Sequence, residues 1–176
     1  MKTSIIGLAG PSTVGKSTIA RRLKSIFSSG SPEGEIHSFA SNIRLALYVM
    51  GLEVNYEDKE APVYKDKSTR DLMKSLGTEW GRNSVGLNIW VDLLMQRIDK
   101  SDAPAAIIDD VRFANEAQAI RNRGGIVIEL SREGVQYNGA HATELGLDKS
   151  LVDATVDCGC VETAVNEILD IRGGSQ

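Results

Sequence analysis

Hydrophobic residues along the chain form short continuous runs that alternate with segments of helical spacing. Continuous apolar runs are typical of parallel strands that are buried on both faces. Strands that alternate with helices predict an α/β domain with a parallel sheet. The predicted strands are 3–9, 35–40, 105–109, 126–130 and 154–158.

Helices are predicted between these runs. The first covers Ser17 to about Phe27, and two later ones carry apolar stripes. In "STRDLMKSLG", Ser68 or Thr69 is the expected N-cap and Gly77 the expected stop. Further helices are predicted in "NEAQAIRNRGG" and "VETAVNEILDI", and 55–67 is a polar excursion. The first stripe is formed by Ile43, Ala46, Leu47 and Met50. The second is formed by Val91, Leu94, Met95 and Ile98, which we expect in the core.

Composition narrows the classes of protein that fit this pattern. The 176 residues suit one domain, and the net charge of −4 argues against a nucleic-acid partner. No apolar stretch approaches the ~20 residues that span a bilayer, which argues against a membrane partner. Cys158 and Cys160 are too close for an ordinary disulfide, so a reduced, cytoplasmic protein is expected.

The stretch "GLAGPSTVGKST" matches G-x-x-x-x-G-K-[ST] between a predicted strand and a predicted helix. Its glycines let backbone N–H groups point at phosphate oxygens, and the helix N-terminus adds its positive dipole end. Lys16 is expected on the β- and γ-phosphates, and the Ser17 hydroxyl on Mg²⁺. The alternative is a chance glycine-rich turn. The predicted ATP-binding residues are Gly10, Ser12, Thr13, Val14, Gly15, Lys16, Ser17 and Thr18.

A second candidate feature is the apolar run "AAII", which ends at Asp109 and Asp110. Ligands of open α/β sheets bind at the carboxyl ends of strands, so an aspartate that supports Mg²⁺ is expected here. The alternative is a pair of solvated loop acids. Because the chain has no N-K-x-D motif and is short for a helicase, these features together favour a small kinase.

Several motifs resemble those of the deoxynucleoside monophosphate kinases of bacteriophages. They are "SLGTEWGR" (75–82), "WV" (90–91), "DVRFANEAQAIRNRGG" (110–125) and an "H-x-[ST]-E" pattern at His141 and Glu144. The resemblance implies a three-layer P-loop NTPase fold with a five-stranded parallel sheet flanked by helices. It also implies a single kinase domain over 1–176, with a mobile lid at approximately 131–145.

The resemblance also implies roles for individual residues. The implied catalytic residues are Lys16, Asp110 and Arg132, with Ser17 and Asp110 on Mg²⁺. The implied acceptor-binding residues are Arg70, Glu79, Trp80, Arg82 and Arg112.

Each acceptor residue also has a structural interpretation. Arg70 and Arg82 would be surface arginines paired with Asp71 and Glu79. Trp80 would be a core residue rather than a wall for the acceptor base, and Arg112 would brace its own loop.

The resulting hypothesis is a kinase that transfers the γ-phosphate of ATP to a deoxynucleoside monophosphate in the cytoplasm, which is the host cytoplasm if the protein is viral. Two alternatives stay open: a kinase similar to dephospho-coenzyme A kinase, and a non-kinase ATP-binding module. The sequence leaves base preference and oligomeric state open, a homodimer included. Cys158 and Cys160 stand where the family usually has asparagine and glycine, in the loop that lines the base of ATP.

Overall fold

The computed structural model describes residues 3–28, 32–53, 58–137 and 146–174. The chain divides into two compact units, of which the first comprises Met1–Ser38 and Arg97–Gln176 and the second Phe39–Gln96. His141, Glu144 and part of the predicted lid lie outside the described residues. The assignment of 1–176 to one domain stays a prediction.

The helices and strands follow one another in the predicted alternation, with a short hairpin and a π-helix between them. In chain order they are β1 (Ser4–Ala9), α1 (Lys16–Ile26), β2 (Glu35–His37), α2 (Ser41–Val49), β3 (Pro62–Tyr64), β4 (Lys67–Ser68), α3 (Thr69–Lys74), the π-helix (Ser75–Val85), α4 (Ile89–Asp99), β5 (Ala105–Ile108), α5 (Ala114–Arg121), β6 (Ile126–Ser131), a 3₁₀ turn (Lys149–Leu151), β7 (Ala154–Asp157) and α6 (Val161–Gly174).

The first unit is built on the predicted five-stranded parallel sheet, with strand order β2-β5-β1-β6-β7. Ile6 and Leu8 of β1 belong to the core formed with α1 and α6. Successive side chains of a strand point to opposite faces. On the other face, Gly7 lies against Ile120 of α5. This sheet with helices on both faces confirms the predicted three-layer fold.

Strand β2 is shorter than predicted, since it ends at His37 rather than residue 40. The next residue, Ser38, leaves the sheet and donates its hydroxyl hydrogen bond to Asp110. The chain then turns into α2. The apolar pattern of "SFA" therefore continues past the end of the strand, because Phe39 is buried without being part of the sheet.

The second unit confirms one predicted helix signal and overturns another. Ser68 is the N-cap of α3, and its side chain and Asp71 form a reciprocal capping box. Gly77 does not stop the helix, because the chain continues as the π-helix to Val85. A Cβ on Gly77 would lie 2.8 Å from Ile43 Cδ1, so glycine permits close packing here and a larger residue would displace the end of the Ile43 side chain. A hairpin of β3 and β4 also occupies part of the predicted polar excursion.

The predicted core positions of α4 are buried, which confirms that stripe. In α2, Ile43 and Leu47 are buried, whereas Met50 is 58% exposed because it follows the last residue of the helix. Across the described ranges, no helix has the length and apolar character needed to cross a bilayer.

Candidate functional site

The phosphate loop joins β1 to α1, and two of its glycines are required by its shape. Gly10 and Gly15 have φ of 136° and 118°, which side-chain-bearing residues rarely adopt. A Cβ on Gly10 would lie 2.7 Å from the Leu130 carbonyl oxygen. A Cβ on Gly15 would lie 3.2 Å from the Arg132 guanidinium. The loop therefore packs closely against the end of β6 through its backbone.

The side chain of Lys16 folds back onto the phosphate loop. Its Nζ donates to the carbonyl oxygens of Gly10, at 2.8 Å, and Pro11, at 2.7 Å. Burial, and after it the positive charge of Arg112, lower the pKa of Lys16 to about 8, against the opposing effect of Asp109 and Asp110. A bound polyphosphate would favour the charged form. The Lys16 ammonium therefore lies where the negative charge of a bound polyphosphate would stabilise its charged form.

The two acids after β5 have different hydroxyl partners. The Ser17 hydroxyl lies 3.4 Å from Asp109 Oδ2, and the Ser38 hydroxyl donates to Asp110 Oδ2 at 2.5 Å. Asp109 is thus the carboxylate beside the residue predicted to bind Mg²⁺. This geometry favours Asp109 for that role, and the assignment of Asp110 to the metal stays a prediction.

Arg132 follows β6 and reaches the phosphate loop. One terminal nitrogen donates to the Cys158 carbonyl oxygen at 2.9 Å. Its Nε is buried and has no hydrogen-bond partner among the described residues. Buried donors are almost always satisfied, so an unpaired one in a side chain whose terminal nitrogen approaches Gly15 is a candidate to bind an acceptor on a ligand. A nucleotide phosphate supplies oxygens of this kind.

Glu116, a residue that sequence analysis missed, holds the backbone of the loop that carries Arg112. The buried carboxylate of Glu116 accepts hydrogen bonds from the backbone N–H groups of Arg112, at 2.8 Å, and Phe113, at 3.1 Å. Glu116 occupies the first turn of α5, where an acid is also favoured by the helix dipole. The available signal was the acid at the start of the helix after "DVRF".

The loop between β7 and α6 also lies against the phosphate loop. The buried Cys158 thiol is 2.9 Å from the Val14 carbonyl oxygen and 3.0 Å from that of Ser131. Cys160 is exposed, and hydrogen bonds from Thr163 lower the pKa of its thiol. Both thiols are free. Cys158 therefore serves in packing between the two loops.

Beside the phosphate loop, a cation could bind to individual side-chain oxygen atoms rather than to a cluster of metal-ligating residues. The described ranges contain no group of three or more His, Cys, Asp or Glu residues that could hold a metal. Mg²⁺ commonly uses one or two protein oxygens and completes its shell with substrate phosphates and water. The Ser17 hydroxyl and the Asp109 carboxylate fit that donor set.

In the second unit, the "LGTEWGR" motif forms much of the π-helix. Gly77 and Gly81 are buried against neighbouring side chains, and the Gly77 carbonyl oxygen accepts a 2.7 Å bond from Trp90 Nε1. Trp80 is 52% exposed, whereas Trp90 is 4% exposed, with ring centroids 6.2 Å apart. Trp80 is therefore a surface residue, and the core interpretation of it is wrong.

The polar side chains of this region have specific hydrogen-bond and ion-pair partners, and some of these differ from the pairs that the sequence suggested. Arg70 forms an ion pair with Glu60 rather than Asp71. Asp71 is engaged by Ser68, which lowers the pKa of its carboxyl. Glu79 accepts a 2.9 Å hydrogen bond from the Ser75 hydroxyl. Arg82 is half-buried on the same π-helix. Glu79, Trp80 and Arg82 thus share one π-helix, whose motif glycines are buried.

Comparison with known proteins decides the family. The sequence model described as deoxynucleotide monophosphate kinase matches residues 38–162. The chain belongs to this family. A putative deoxynucleotide monophosphate kinase of Acanthamoeba polyphaga mimivirus is 31% identical over 168 residues, with 81% of each chain covered.

Two phage proteins are also similar to parts of this family member. The deoxynucleoside-5'-monophosphate kinase of Escherichia phage T5 is 34% identical over 110 residues, which is 62% of this chain and 44% of that protein. The deoxynucleotide monophosphate kinase of Enterobacteria phage T4 is 37% identical over 83 residues, which is 46% of this chain and 34% of that protein. The matched region therefore spans less than half the length of each phage relative.

Solved structures support the fold. An APS kinase of Mycobacterium tuberculosis aligns with a TM-score of 0.53 and 11% identity, over 97% of this chain and 96% of that chain. A shikimate kinase of Bacteroides thetaiotaomicron aligns with a TM-score of 0.54 and 12% identity, over 96% and 97%. At these identities the similarity is one of fold, and both neighbours are small kinases.

Proposed function

We propose that this protein transfers the γ-phosphoryl group of ATP to a deoxynucleoside monophosphate, which yields the deoxynucleoside diphosphate and ADP. The observation that carries the proposal is the phosphate loop with Lys16, Asp109 and Arg132 around it, in a chain of the deoxynucleotide monophosphate kinase family. In this proposal the substrates and binding partners are small molecules. The reaction takes place in the cytoplasm of the cell or of the host.

In the donor half of the reaction, the backbone of the phosphate loop and the start of α1 bind the ATP phosphates. Lys16 exchanges its loop carbonyls for phosphate oxygens, and Arg132 offers its unpaired Nε. Ser17 and Asp109 would hold Mg²⁺, which neutralises phosphate charge when bound. Positioning and charge stabilisation of this kind account for most catalysis in phosphoryl transfer.

On the acceptor side, the proposal assigns phosphate recognition to Arg70 and Arg82, and base contact to Trp80. The planar guanidinium fork matches phosphate oxygens, and an exposed indole offers a flat face for a base. Arg70 would leave its exposed ion pair with Glu60, which costs little because such surface pairs are weak. Arg112 stays assigned to the acceptor phosphate because its backbone is already fixed by Glu116.

No general base is needed for this chemistry. The second pKa of a phosphate monoester is ~6, so the acceptor is largely a dianion at neutral pH. The task of the protein is to hold two polyanions in line and to offset their repulsion. Asp110, held by Ser38, is then available to orient groups at the strand ends rather than to remove a proton.

A panel of acceptors with ATP tests the proposal. ADP formation is measured with each of the four deoxynucleoside monophosphates, the matching ribonucleotides and dephospho-coenzyme A. Stimulation by deoxynucleotides supports the proposal. Stimulation by dephospho-coenzyme A alone assigns the chain to that other kinase class. ATP consumption that no acceptor changes identifies an ATP-binding module instead.

A further inference from the structure

Strand β6 carries a charged residue in the middle of the fold. Glu129 is 6% exposed, and its neighbours in the strand are buried and apolar. An ionised carboxylate in such a place is costly unless it is paired and hydrogen-bonded. A buried acid with no role in the proposed chemistry therefore needs an explanation.

The Glu129 carboxylate has three partners that satisfy it. The Tyr137 hydroxyl donates to Oε1 at 3.1 Å, and the Lys149 ammonium forms an ion pair with Oε2. The Thr155 hydroxyl, directly across on β7, lies 3.5 Å from Oε2. The burial of Tyr137 and the charge of Glu129 both raise the pKa of the phenol, so Tyr137 stays a donor.

These partners come from opposite ends of the connection between β6 and β7. Tyr137 lies near its beginning, and Lys149 lies near its end. The two ends also contact each other, because a Cβ on Gly146 would lie 3.1 Å from the Tyr137 ring. One buried carboxylate therefore ties both ends of the connection to the central sheet.

The same connection begins with Arg132. The Val135 N–H donates to the Arg132 carbonyl oxygen at 3.1 Å, which folds the start of the connection into a tight turn between Arg132 and Tyr137. The Arg132 guanidinium is held on the Cys158 carbonyl oxygen and against Gly15. A short, hydrogen-bonded turn thus connects Tyr137 to the residue that reaches the phosphate loop.

We propose that Glu129 is a positioning residue for phosphoryl transfer, which holds the two ends of the β6–β7 connection through Tyr137 and Lys149 and thereby keeps Arg132 on the phosphate loop. This inference rests on the proposed function for the reaction it affects. Small displacements of a positioned group reduce rates strongly, so loss of this anchor is expected to lower kcat roughly ten- to a hundredfold.

The test compares Glu129→Gln with Asp153→Asn as a matched control. Asp153 lies at the start of the neighbouring strand, where it accepts a 2.7 Å bond from Val127 N–H and pairs with Arg121. Glu129→Gln should lower kcat with little change in the acceptor KM, and should speed hydrogen exchange at amides 132–137. Asp153→Asn should lower the melting temperature and leave kcat and that exchange unchanged.

A second set of variants keeps the test valid if Glu129→Gln fails to fold. Lys149 is 74% exposed, so Lys149→Met removes the ion pair but leaves the hydroxyl partners of the carboxylate. It should reproduce the loss of kcat and the faster exchange, and Lys149→Arg should restore both. A folded Lys149→Met or Glu129→Gln protein with only a lower melting temperature would overturn the proposal.

Hydrogen exchange and ATP affinity need no acceptor, which separates this inference from the proposed function. If no deoxynucleotide is phosphorylated but exchange at 132–137 rises and ATP binds more weakly, the anchor stands and the proposed function fails. If transfer occurs normally and exchange is unchanged in Lys149→Met, the proposed function stands and the anchor fails.

Discussion

The phosphate loop and the "LGTEWGR" π-helix both contain paired glycines, but the glycines serve different purposes. Gly10 and Gly15 have positive φ and shape a backbone lining against Leu130 and Arg132. Gly77 and Gly81 are buried where side chains of Ile43 and Trp90 come close. In the first region the glycine backbone itself lines the proposed phosphate site. In the second, the glycines bury one face so that the residues between them point outward.

This difference predicts that the two regions will respond differently to substitution. In the phosphate loop, a change would alter the proposed phosphate contacts directly, since the backbone itself would make them. In the π-helix, a change in a glycine alters packing, and a change in an exposed residue such as Trp80 alters only what the surface can bind. π-Helical turns are rare and occur frequently at functional sites, which suits an element that presents a binding surface.

The largest expected effect is at the phosphate loop. Lys16→Ala removes the charge that faces the transferred group, and loss of one such stabilising group typically costs on the order of 10²–10³-fold in kcat. Steady-state kinetics with circular dichroism measure the effect and the fold. Lys24→Ala, on the same helix and paired with Glu33 at 4.0 Å, is the control and should retain activity. Normal turnover by a folded Lys16→Ala protein would contradict the assignment.

The next prediction separates the two acids at the end of β5. Asp109→Asn should lower kcat about a hundredfold and raise the Mg²⁺ concentration needed for half-maximal activity, because Asp109 lies beside Ser17. Asp110→Asn should lower activity without changing that Mg²⁺ requirement. Magnesium titrations of both variants make the measurement. A changed requirement in Asp110→Asn alone would restore the role that the family resemblance implied for it.

The acceptor surface is expected to show smaller effects, confined to one substrate. Lysine cannot copy the bidentate fork of arginine, so Arg70→Lys and Arg82→Lys should each weaken the acceptor by roughly ten- to a hundredfold. The KM for ATP should change little. Kinetics that vary each substrate separately decide this, with Arg123→Lys, which is paired with Asp99, as the control. A rise in the ATP KM alone would move these arginines to the donor site.

A pH effect of about tenfold should distinguish the donor site from the acceptor surface. Burial lowers the Lys16 pKa to about 8, and bound triphosphate favours the charged form. ATP affinity should thus be full below that pH and fall as pH rises through it, to about a tenth one unit above. Calorimetric titrations between pH 7 and 9.5 test this. Lys16→Met should lack the decline, and an equal decline in both proteins would assign it to ATP itself.

The smallest effect on activity is expected at the inward face of the π-helix. A Cβ on Gly81 would lie 2.6 Å from the Trp90 ring, so Gly81→Ala should destabilise the protein by about 1–3 kcal/mol. Gly86→Ala is the control, since among the described residues no atom beyond its chain neighbours lies within 4 Å of its Cβ position. Thermal unfolding monitored by tryptophan fluorescence gives both values. Equal melting temperatures would show that Gly81 is not required for packing.

Sequence reasoning was most successful where a local pattern determines a local structure. The five strands, the helix after the phosphate loop, the Ser68 cap and the α4 core stripe all follow from periodicity and capping over a few residues. Gly77 was misread as a helix stop because the same residue also permits close packing, and only the fold reveals the Ile43 side chain that lies against it.

Some features of the site depend on partners far along the chain, which sequence reasoning does not supply. Asp109 and Asp110 are distinguished by Ser17 and Ser38, which no spacing rule connects to them. Glu129 likewise acquires its partners from the β6–β7 connection. An isolated acid in an otherwise apolar strand was a usable signal, since a buried charge requires compensation.

The fate of the γ-phosphoryl group tests the account as a whole. ATP labelled with ³²P at the γ position is mixed with the protein and all four deoxynucleoside monophosphates, and the products are separated by chromatography. We expect the label to appear in a deoxynucleoside diphosphate, and to remain in ATP with Lys16→Ala. Label released only as inorganic phosphate, at the same rate with and without deoxynucleotides, would contradict the account.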